Sequence, residues 1–268
     1  MKDYRKGLNS MKIFSKSNVL IKDITGQNYI TDELVEKKDS PLSITRVIVI
    51  LVTYFLGYNY FFPMIVLNIF SLFTFTSESY FFWAMAAQLI MCVVTMAIVI
   101  IAALPLLKES WYIFKQNKVA NLKVAGILYI VLILTNIVLN LIFRLETSSN
   151  QESIEMMMQS SMIVVPFMVV IFAPIVEEIV FRGAIYRVMR KSTGKWGGIL
   201  ISAFFFGLVH VLASLLSGDY FDLINIVTYM SMGVYMALAY EKTGSLHTSI
   251  AVHMINNGIA TALLLFVM

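Results

Sequence analysis

Two adjacent glutamates and an arginine lie inside a strongly apolar stretch of this chain. Glu177, Glu178 and Arg182 interrupt residues 162–186, which otherwise consist largely of Ile, Val, Phe and Met. A charge near the centre of a helix in lipid costs about 2.5–3.5 kcal/mol. Three ionisable groups within six residues are therefore expected to face the interior of a helix bundle, to pair, and to have a function.

The spacing of these three residues predicts different tasks for the two acids. Glu178 and Arg182 are four residues apart, about 40° around a helix, so they can form an ion pair. Glu177 is about 140° from Arg182 on an ideal helix. We therefore expect Glu178 and Arg182 to compensate each other's charge and Glu177 to point elsewhere.

Two later apolar runs contain the remaining candidate groups. His210 shares a helix face with Phe206, next to Gly207, which permits close approach of another helix. His253 and Asn257 share a face of the last run. A glutamate with a histidine can hold and deprotonate a water. A second histidine and an asparagine can donate hydrogen bonds to the oxyanion that forms when this water attacks a carbonyl.

The residue types alone leave other roles open. Intramembrane Glu–Arg pairs also act as structural contacts, and Glu177 with Glu178 could be a proton relay in a transporter. No internal repeat is visible, which counts against a transporter. The chain has neither a His-Glu-x-x-His zinc motif nor a Gly-x-Ser-x-Gly elbow. We interpret His247, at a predicted helix start, as an interfacial residue.

The composition places these groups in a membrane protein. The chain has 268 residues, of which 59% are hydrophobic and 13% charged, and the mean hydropathy is +0.81. The predicted fold is an all-α, polytopic transmembrane helix bundle of about seven spans, with an eighth as an alternative. The predicted spans are Val47–Phe70, Tyr80–Leu107, Val124–Phe143, Met162–Tyr186, Gly197–Leu216, Phe221–Tyr240 and Leu246–Met268.

The distribution of Lys and Arg predicts the orientation in the membrane. Basic residues cluster before the first span, between the second and third, after the fourth and after the sixth, whereas the other side receives Arg144 alone. This bias predicts a multi-pass protein of the cell membrane with its N-terminus in the cytoplasm. Residues 1–42 are interpreted as a polar cytoplasmic tail and residues 43–268 as the transmembrane domain. The net charge of +4 follows this topology and gives no indication of a nucleic-acid partner.

Three motifs, in this order on successive late helices, resemble the CAAX prenyl endopeptidase and bacteriocin-processing (CPBP, or Abi) family. They are Glu177-Glu178-x-x-x-Arg182, Phe206-x-x-x-His210 and His253-x-x-x-Asn257. The resemblance covers about residues 161–268. It implies an intramembrane endopeptidase. In this enzyme Glu177 would activate water together with His210. The oxyanion would be bound by His253 and Asn257, and the site would be shaped by Glu178 and Arg182.

The resemblance also implies the class of substrate and partner. Expected substrates are small peptides or membrane-associated proteins, such as a bacteriocin, a pheromone precursor or a prenylated C-terminus, reached from the lipid bilayer. We expect no cofactor; a zinc ion held by Glu177, His210 and His253 is the alternative. A catalytically silent immunity or partner-binding protein on the same fold is the alternative function.

Overall fold

Helices make up nearly all of the described chain, which comprises residues 21–22, 28–29 and 41–267 of a computed structural model. The two short strands β1 (Ile21–Lys22) and β2 (Asn28–Tyr29) pair in antiparallel register. They belong to a separate unit from the helices. Most of the predicted tail, residues 1–42, lies outside the described residues, so its cytoplasmic location stays a prediction.

The described helices follow one another along the chain from Ile44 to Val267. They are α1 (Ile44–Phe70), α2 (Ser77–Gln116), α3 (Lys118–Phe143), α4 (Ser149–Ser160), α5 (residues 164–193), α6 (residues 195–217), α7 (Ile226–Thr243) and α8 (Leu246–Val267). A short 3-10 turn, Phe221–Asn225, precedes α7.

The helix count confirms an all-α membrane bundle of about seven spans. Six segments of the described chain are long and apolar enough to cross a membrane, and one of them, Val164–Ser217, has 54 residues. A helix of that length would extend about 80 Å, whereas a bilayer core is about 30 Å thick. Gly194 breaks the segment with φ of 73° and ψ of −177°, so it supplies two spans, α5 and α6. Helix α4 has only 12 residues and is polar, so it does not add an eighth.

Three prolines lie where the helices change their winding. Pro166 directly precedes a π-helical stretch, Phe167–Phe172, and Pro174 follows the same stretch by two residues. Pro63 similarly follows the π-helical stretch Thr53–Phe61 of α1. Because proline lacks an N–H group, the regular hydrogen-bond ladder cannot continue through it, and a local change of winding accommodates the gap.

Pro105 lies inside α2, which is nevertheless continuous over 40 residues. The missing proline N–H leaves the carbonyl of Ile101 without its usual helical donor. Arg46 of α1 supplies a substitute, since its Nη1 donates to the Ile101 oxygen at 3.1 Å and to the Ala102 oxygen at 2.8 Å. The contact therefore ties α1 to α2 at the position where α2 would otherwise be weakest.

Glycines let α7 approach α6 closely. A Cβ atom built on Gly207 would lie 2.9 Å from Met230 Cγ, and one on Gly233 would lie 2.8 Å from Ala203 Cα. Either distance is too short for a larger residue, which confirms the predicted close approach at Gly207. The arrangement brings the backbone of α7 next to the apolar stretch that holds the acids.

The outer faces of the helices are apolar. On α3, large side chains are half or more exposed along one stripe: Ile127, Ile130, Leu134, Ile137 and Leu141. Their spacing of three or four residues keeps them on one side of the helix. Such a stripe is suited to lipid, whereas the buried polar side chains of the bundle lie inside.

Candidate active site

The buried ion pair forms as the spacing predicts. Arg182 Nη1 donates to Glu178 Oε1 at 2.7 Å, and both side chains are completely buried. Arg182 Nη2 donates to the carbonyl oxygen of Gly233 at 2.9 Å. Its guanidinium also lies 4.7 Å from the centre of the Phe206 ring, a cation–π distance. The arginine therefore connects α5 to both α6 and α7.

Glu178 has two further polar contacts, both with α8. The Ser249 hydroxyl donates to Glu178 Oε2 at 2.5 Å, and His253 Nδ1 lies 3.0 Å from Glu178 Oε1. Ser249 Oγ is also 2.7 Å from the Met236 carbonyl oxygen, so its single proton is shared between two acceptors. Glu178 thus orients His253 as well as compensating Arg182.

Glu177 points away from the ion pair and toward both histidines. Its Oε2 is 3.9 Å from His210 Nε2 and 3.9 Å from His253 Nε2. This oxygen is buried and accepts no hydrogen bond from any residue that the structure describes. One carboxylate oxygen of α5 therefore lies equally far from two imidazole nitrogens, one of α6 and one of α8.

The hydrogen-bond partners determine which histidine nitrogens carry protons. His210 Nδ1 is 2.7 Å from the Phe206 carbonyl oxygen, which can only accept, so Nδ1–H is the donor. His253 Nδ1 faces the Glu178 carboxylate and donates in the same way. In their neutral forms, both histidines consequently present an unprotonated Nε2 toward Glu177. The three atoms are all acceptors, an arrangement that suits a water donating its protons.

Asn257 lies one helical turn beyond His253 on α8 and is half-buried. Its Nδ2 donates to the Val169 carbonyl oxygen at 2.9 Å, and its Oδ1 accepts from Asn256 Nδ2 at 3.1 Å. Val169 belongs to the π-helical stretch Phe167–Phe172 of α5. Because the amide has two N–H groups, one of them remains available for another acceptor.

Two aromatic residues that belong to none of the three sequence motifs contact the site. The Tyr229 ring stacks on the His210 imidazole with centroids 4.4 Å apart and planes 22° apart. Tyr54 of α1 lies beside the Glu177 carboxylate and packs edge-on against Phe181. Both come from helices distant in the chain, so only the folded bundle shows their positions.

His247 is separate from this site. Its Nδ1 is 2.7 Å from Ser110 Oγ, and its ring packs near Trp111, at the end of the bundle where α2 ends and α8 begins. Near the same end, where α7 finishes, Arg190 Nη2 pairs with Glu241 Oε1 at 2.8 Å, and both side chains are nearly buried. Arg190 is one of the basic residues after the fourth predicted span that contribute to the Lys and Arg bias. In the structure it forms a nearly buried ion pair that connects α5 to α7.

Glu177 Oε2 lies farther from the two imidazole Nε2 atoms than two ligands of a tetrahedral zinc ion lie from each other. The described residues contain no group of three or more His, Cys, Asp or Glu side chains arranged to hold a metal ion. Zinc ligands lie at about 2.0–2.1 Å from the ion. Donor atoms 3.9 Å apart would then subtend about 140° at the ion, far from the tetrahedral angle that zinc prefers.

Comparison with known proteins identifies the region that holds the site. Residues 159–259 match the family model "Type II CAAX prenyl endopeptidase Rce1-like". The chain is also 32% identical over 96 residues to the Bacillus subtilis (strain 168) protein named "Putative membrane peptidase YdiL", a match that covers 35% of each chain. The alignment thus spans about a third of that relative. No solved structure matches the chain.

All six predicted site residues lie within the matched segment, and both comparisons support a membrane protease at family level. The resemblance predicted from the three motifs is therefore confirmed: residues 159–259, which hold all three motifs, match the model of the Rce1-like type II CAAX prenyl endopeptidases.

Proposed function

We propose that this protein is an intramembrane endopeptidase that hydrolyses a peptide bond with a water activated by Glu177 and His210. The observation that supports it most directly is the buried Glu177 Oε2, which has no donor among the described residues and faces two imidazole Nε2 atoms at 3.9 Å. A general base must reach its proton through a hydrogen bond or one water. This oxygen meets that requirement with a water between the three groups.

The proposed reaction begins when the water donates one O–H to Glu177 Oε2 while His210 Nε2 orients it. The water oxygen forms a bond to the substrate carbonyl carbon, and Glu177 takes the proton. When the C–N bond breaks, the same proton goes to the leaving nitrogen. Glu177 is regenerated, and the water is divided between the new carboxyl group and the new amine.

The oxyanion of the intermediate needs donors, and His253 and Asn257 can supply them. His253 donates from Nε2 only when both ring nitrogens carry protons, and its Nδ1 is held 3.0 Å from Glu178 Oε1. Asn257 retains one N–H beyond its bond to Val169. Glu178 and Arg182 then act by holding His253 and the helices in place.

Replacing Asn257 with alanine is expected to lower kcat about 10²–10³-fold with little change in KM, because an oxyanion donor acts mainly in the transition state. Steady-state kinetics on a cleaved peptide measure this split. The control is Asn140→Ala, which removes an exposed amide of another helix, α3, whose Nδ2 donates to the Leu145 carbonyl oxygen. A loss confined to KM would assign Asn257 to substrate binding instead.

We propose peptides or membrane-associated proteins as substrates, in the classes of bacteriocins, pheromone precursors and prenylated C-termini. The test is purified protein in detergent against a panel of quenched fluorescent peptides, with Glu177→Ala as the matched control. Cleavage by the wild type alone supports the enzyme. If no peptide is cleaved by either protein, the silent immunity or partner-binding role gains support.

We propose that the reaction uses no metal, since Glu177 and the histidines suffice to activate water. Incubation with a strong chelator, followed by dialysis, is expected to leave the rate of peptide cleavage unchanged. A loss of cleavage that zinc alone restores would show that the three groups bind a metal.

We propose that the N-terminus is cytoplasmic, on the basis of the Lys and Arg bias. Single cysteines placed at Lys115 and Lys191 should resist a membrane-impermeant thiol reagent in intact cells, whereas cysteines at Glu152 and Asp219 should react. All four positions are exposed, and the native Cys92 is buried, so background labelling is low. Labelling of position 191 from outside would reverse the orientation.

A further inference from the structure

Tyr229 is the side chain that covers one face of the His210 ring. The two rings stack 4.4 Å apart at 22°. On its own helix, the histidine also donates a hydrogen bond from Nδ1 to the Phe206 carbonyl oxygen, and its ring meets the Phe206 ring at a tilt, with centroids 4.5 Å apart and planes 41° apart. Of the two aromatic neighbours, Tyr229 alone is nearly parallel to the imidazole, so it is the contact that restrains rotation of the ring out of its plane.

Tyr229 is itself held at its far end. Its hydroxyl lies 2.6 Å from Ser148 Oγ and accepts from Asn150 Nδ2 at 3.2 Å. Ser148 caps the N-terminus of α4, where its Oγ accepts from the Gln151 N–H at 3.2 Å. The Tyr229 side chain also lines a polar cavity of about 340 Å³ beside this segment. The ring is consequently anchored between a helix cap and the imidazole.

We propose that Tyr229 is a positioning residue for His210, which keeps Nε2 directed at Glu177 through ring stacking. The proposal rests on the proposed hydrolytic function of the same site. Stacking needs only the aromatic ring, whereas the hydroxyl bonds to Ser148 and Asn150 hold that ring in place. The two contributions can therefore be separated by substitution.

The experiment compares Tyr229→Phe with Tyr229→Leu in the full-length protein. Leucine removes the ring, and we expect kcat to fall about 10²-fold with KM nearly unchanged, as for a misplaced reacting group. Phenylalanine keeps the ring, so it should retain most of kcat. The matched control is Tyr235→Leu, which removes a tyrosine of the same helix whose hydroxyl bonds Thr135 Oγ1 at 2.7 Å. Thermal unfolding in detergent should be similar for the two leucine variants.

Two outcomes would overturn the proposal: wild-type kcat in Tyr229→Leu, or an equal loss in Tyr235→Leu. Modification of His210 by diethyl pyrocarbonate, mapped by mass spectrometry, gives a second readout that needs no substrate. It should be faster in Tyr229→Leu than in the wild type and unchanged in Tyr229→Phe. An unchanged rate in the leucine variant contradicts the stacking role, whereas a wild type that cleaves no peptide contradicts only the proposed hydrolysis.

Discussion

Replacing Arg182 with alanine is expected to lower the free energy of unfolding by about 3–5 kcal/mol, because it leaves the fully buried Glu178 without its partner. The substitution also removes the donor to the Gly233 carbonyl and the cation from the Phe206 ring. Equilibrium unfolding in mixed micelles, followed by circular dichroism, measures the change.

The control for this prediction is Lys191→Ala, which removes an exposed cation from the same helix and should change the free energy of unfolding little. The double variant Arg182→Met with Glu178→Gln should recover part of the loss, since neither side chain is then a buried uncompensated charge. A stability of Arg182→Ala equal to that of Lys191→Ala would show that the pair is not needed for the fold.

Replacing Glu177 with glutamine is expected to abolish measurable turnover, a loss of at least 10²–10⁴-fold, because the amide cannot accept a proton from water. Glutamine is nearly isosteric, and it removes a charge whose Oε2 accepts no hydrogen bond from the described residues. The unfolding midpoint should therefore stay the same or rise. Peptide cleavage and thermal unfolding on the same preparation measure both quantities.

A Glu177→Gln protein that unfolds at a lower temperature than the wild type would assign Glu177 a structural role. One that is folded and cleaves at the wild-type rate would exclude it as the base. The matched acidic control is Glu152→Gln, on the exposed surface of α4, which should change neither cleavage nor unfolding.

The parts of the site that the sequence predicts are those that depend on local periodicity. A spacing of four residues on one helix was sufficient to pair Glu178 with Arg182 and to direct Glu177 elsewhere. The apolar runs gave the number of spans, since a helix must be about 20 residues long to cross a bilayer. Gly207 gave the close approach of α6 and α7, because small residues allow helices to pack in lipid.

The parts that the sequence does not predict depend on contacts between distant helices. Ser249 is a common residue on a buried face, and only the packing of α8 against α5 makes it a partner of Glu178. Tyr229 and Tyr54 reach the site from helices whose order in space no local pattern specifies. The π-helical stretches Phe167–Phe172, before the acids, and Ile179–Tyr186, after them, also change which side chains share a face.

Counting Lys and Arg residues along the sequence predicts the orientation, but it does not show which of these residues also have a structural role. Arg190 contributes to the Lys and Arg bias that predicts orientation, yet its guanidinium is nearly buried and binds both carboxylate oxygens of Glu241. Glu241 follows an apolar run and drew no prediction. An ion pair between two helices can be recognised only when the positions of both partners are known. The sequence alone therefore could not distinguish the Arg190–Glu241 pair from a solvated cation and a solvated acid.

The central claim is that Glu177 is the base, whereas Glu178 holds Arg182 and His253 in place. The most direct test compares the rates at which the wild type, Glu177→Gln and Glu178→Gln cleave the same peptide. Rates are expressed per folded molecule, with the folded fraction taken from size-exclusion chromatography in detergent. We expect Glu177→Gln to be folded and inactive. Glu178→Gln should lose stability and, because the carboxylate that orients His253 is gone, should cleave at a reduced but measurable rate in its folded fraction. Cleavage by Glu177→Gln at the wild-type rate, together with a folded and inactive Glu178→Gln, would contradict the account.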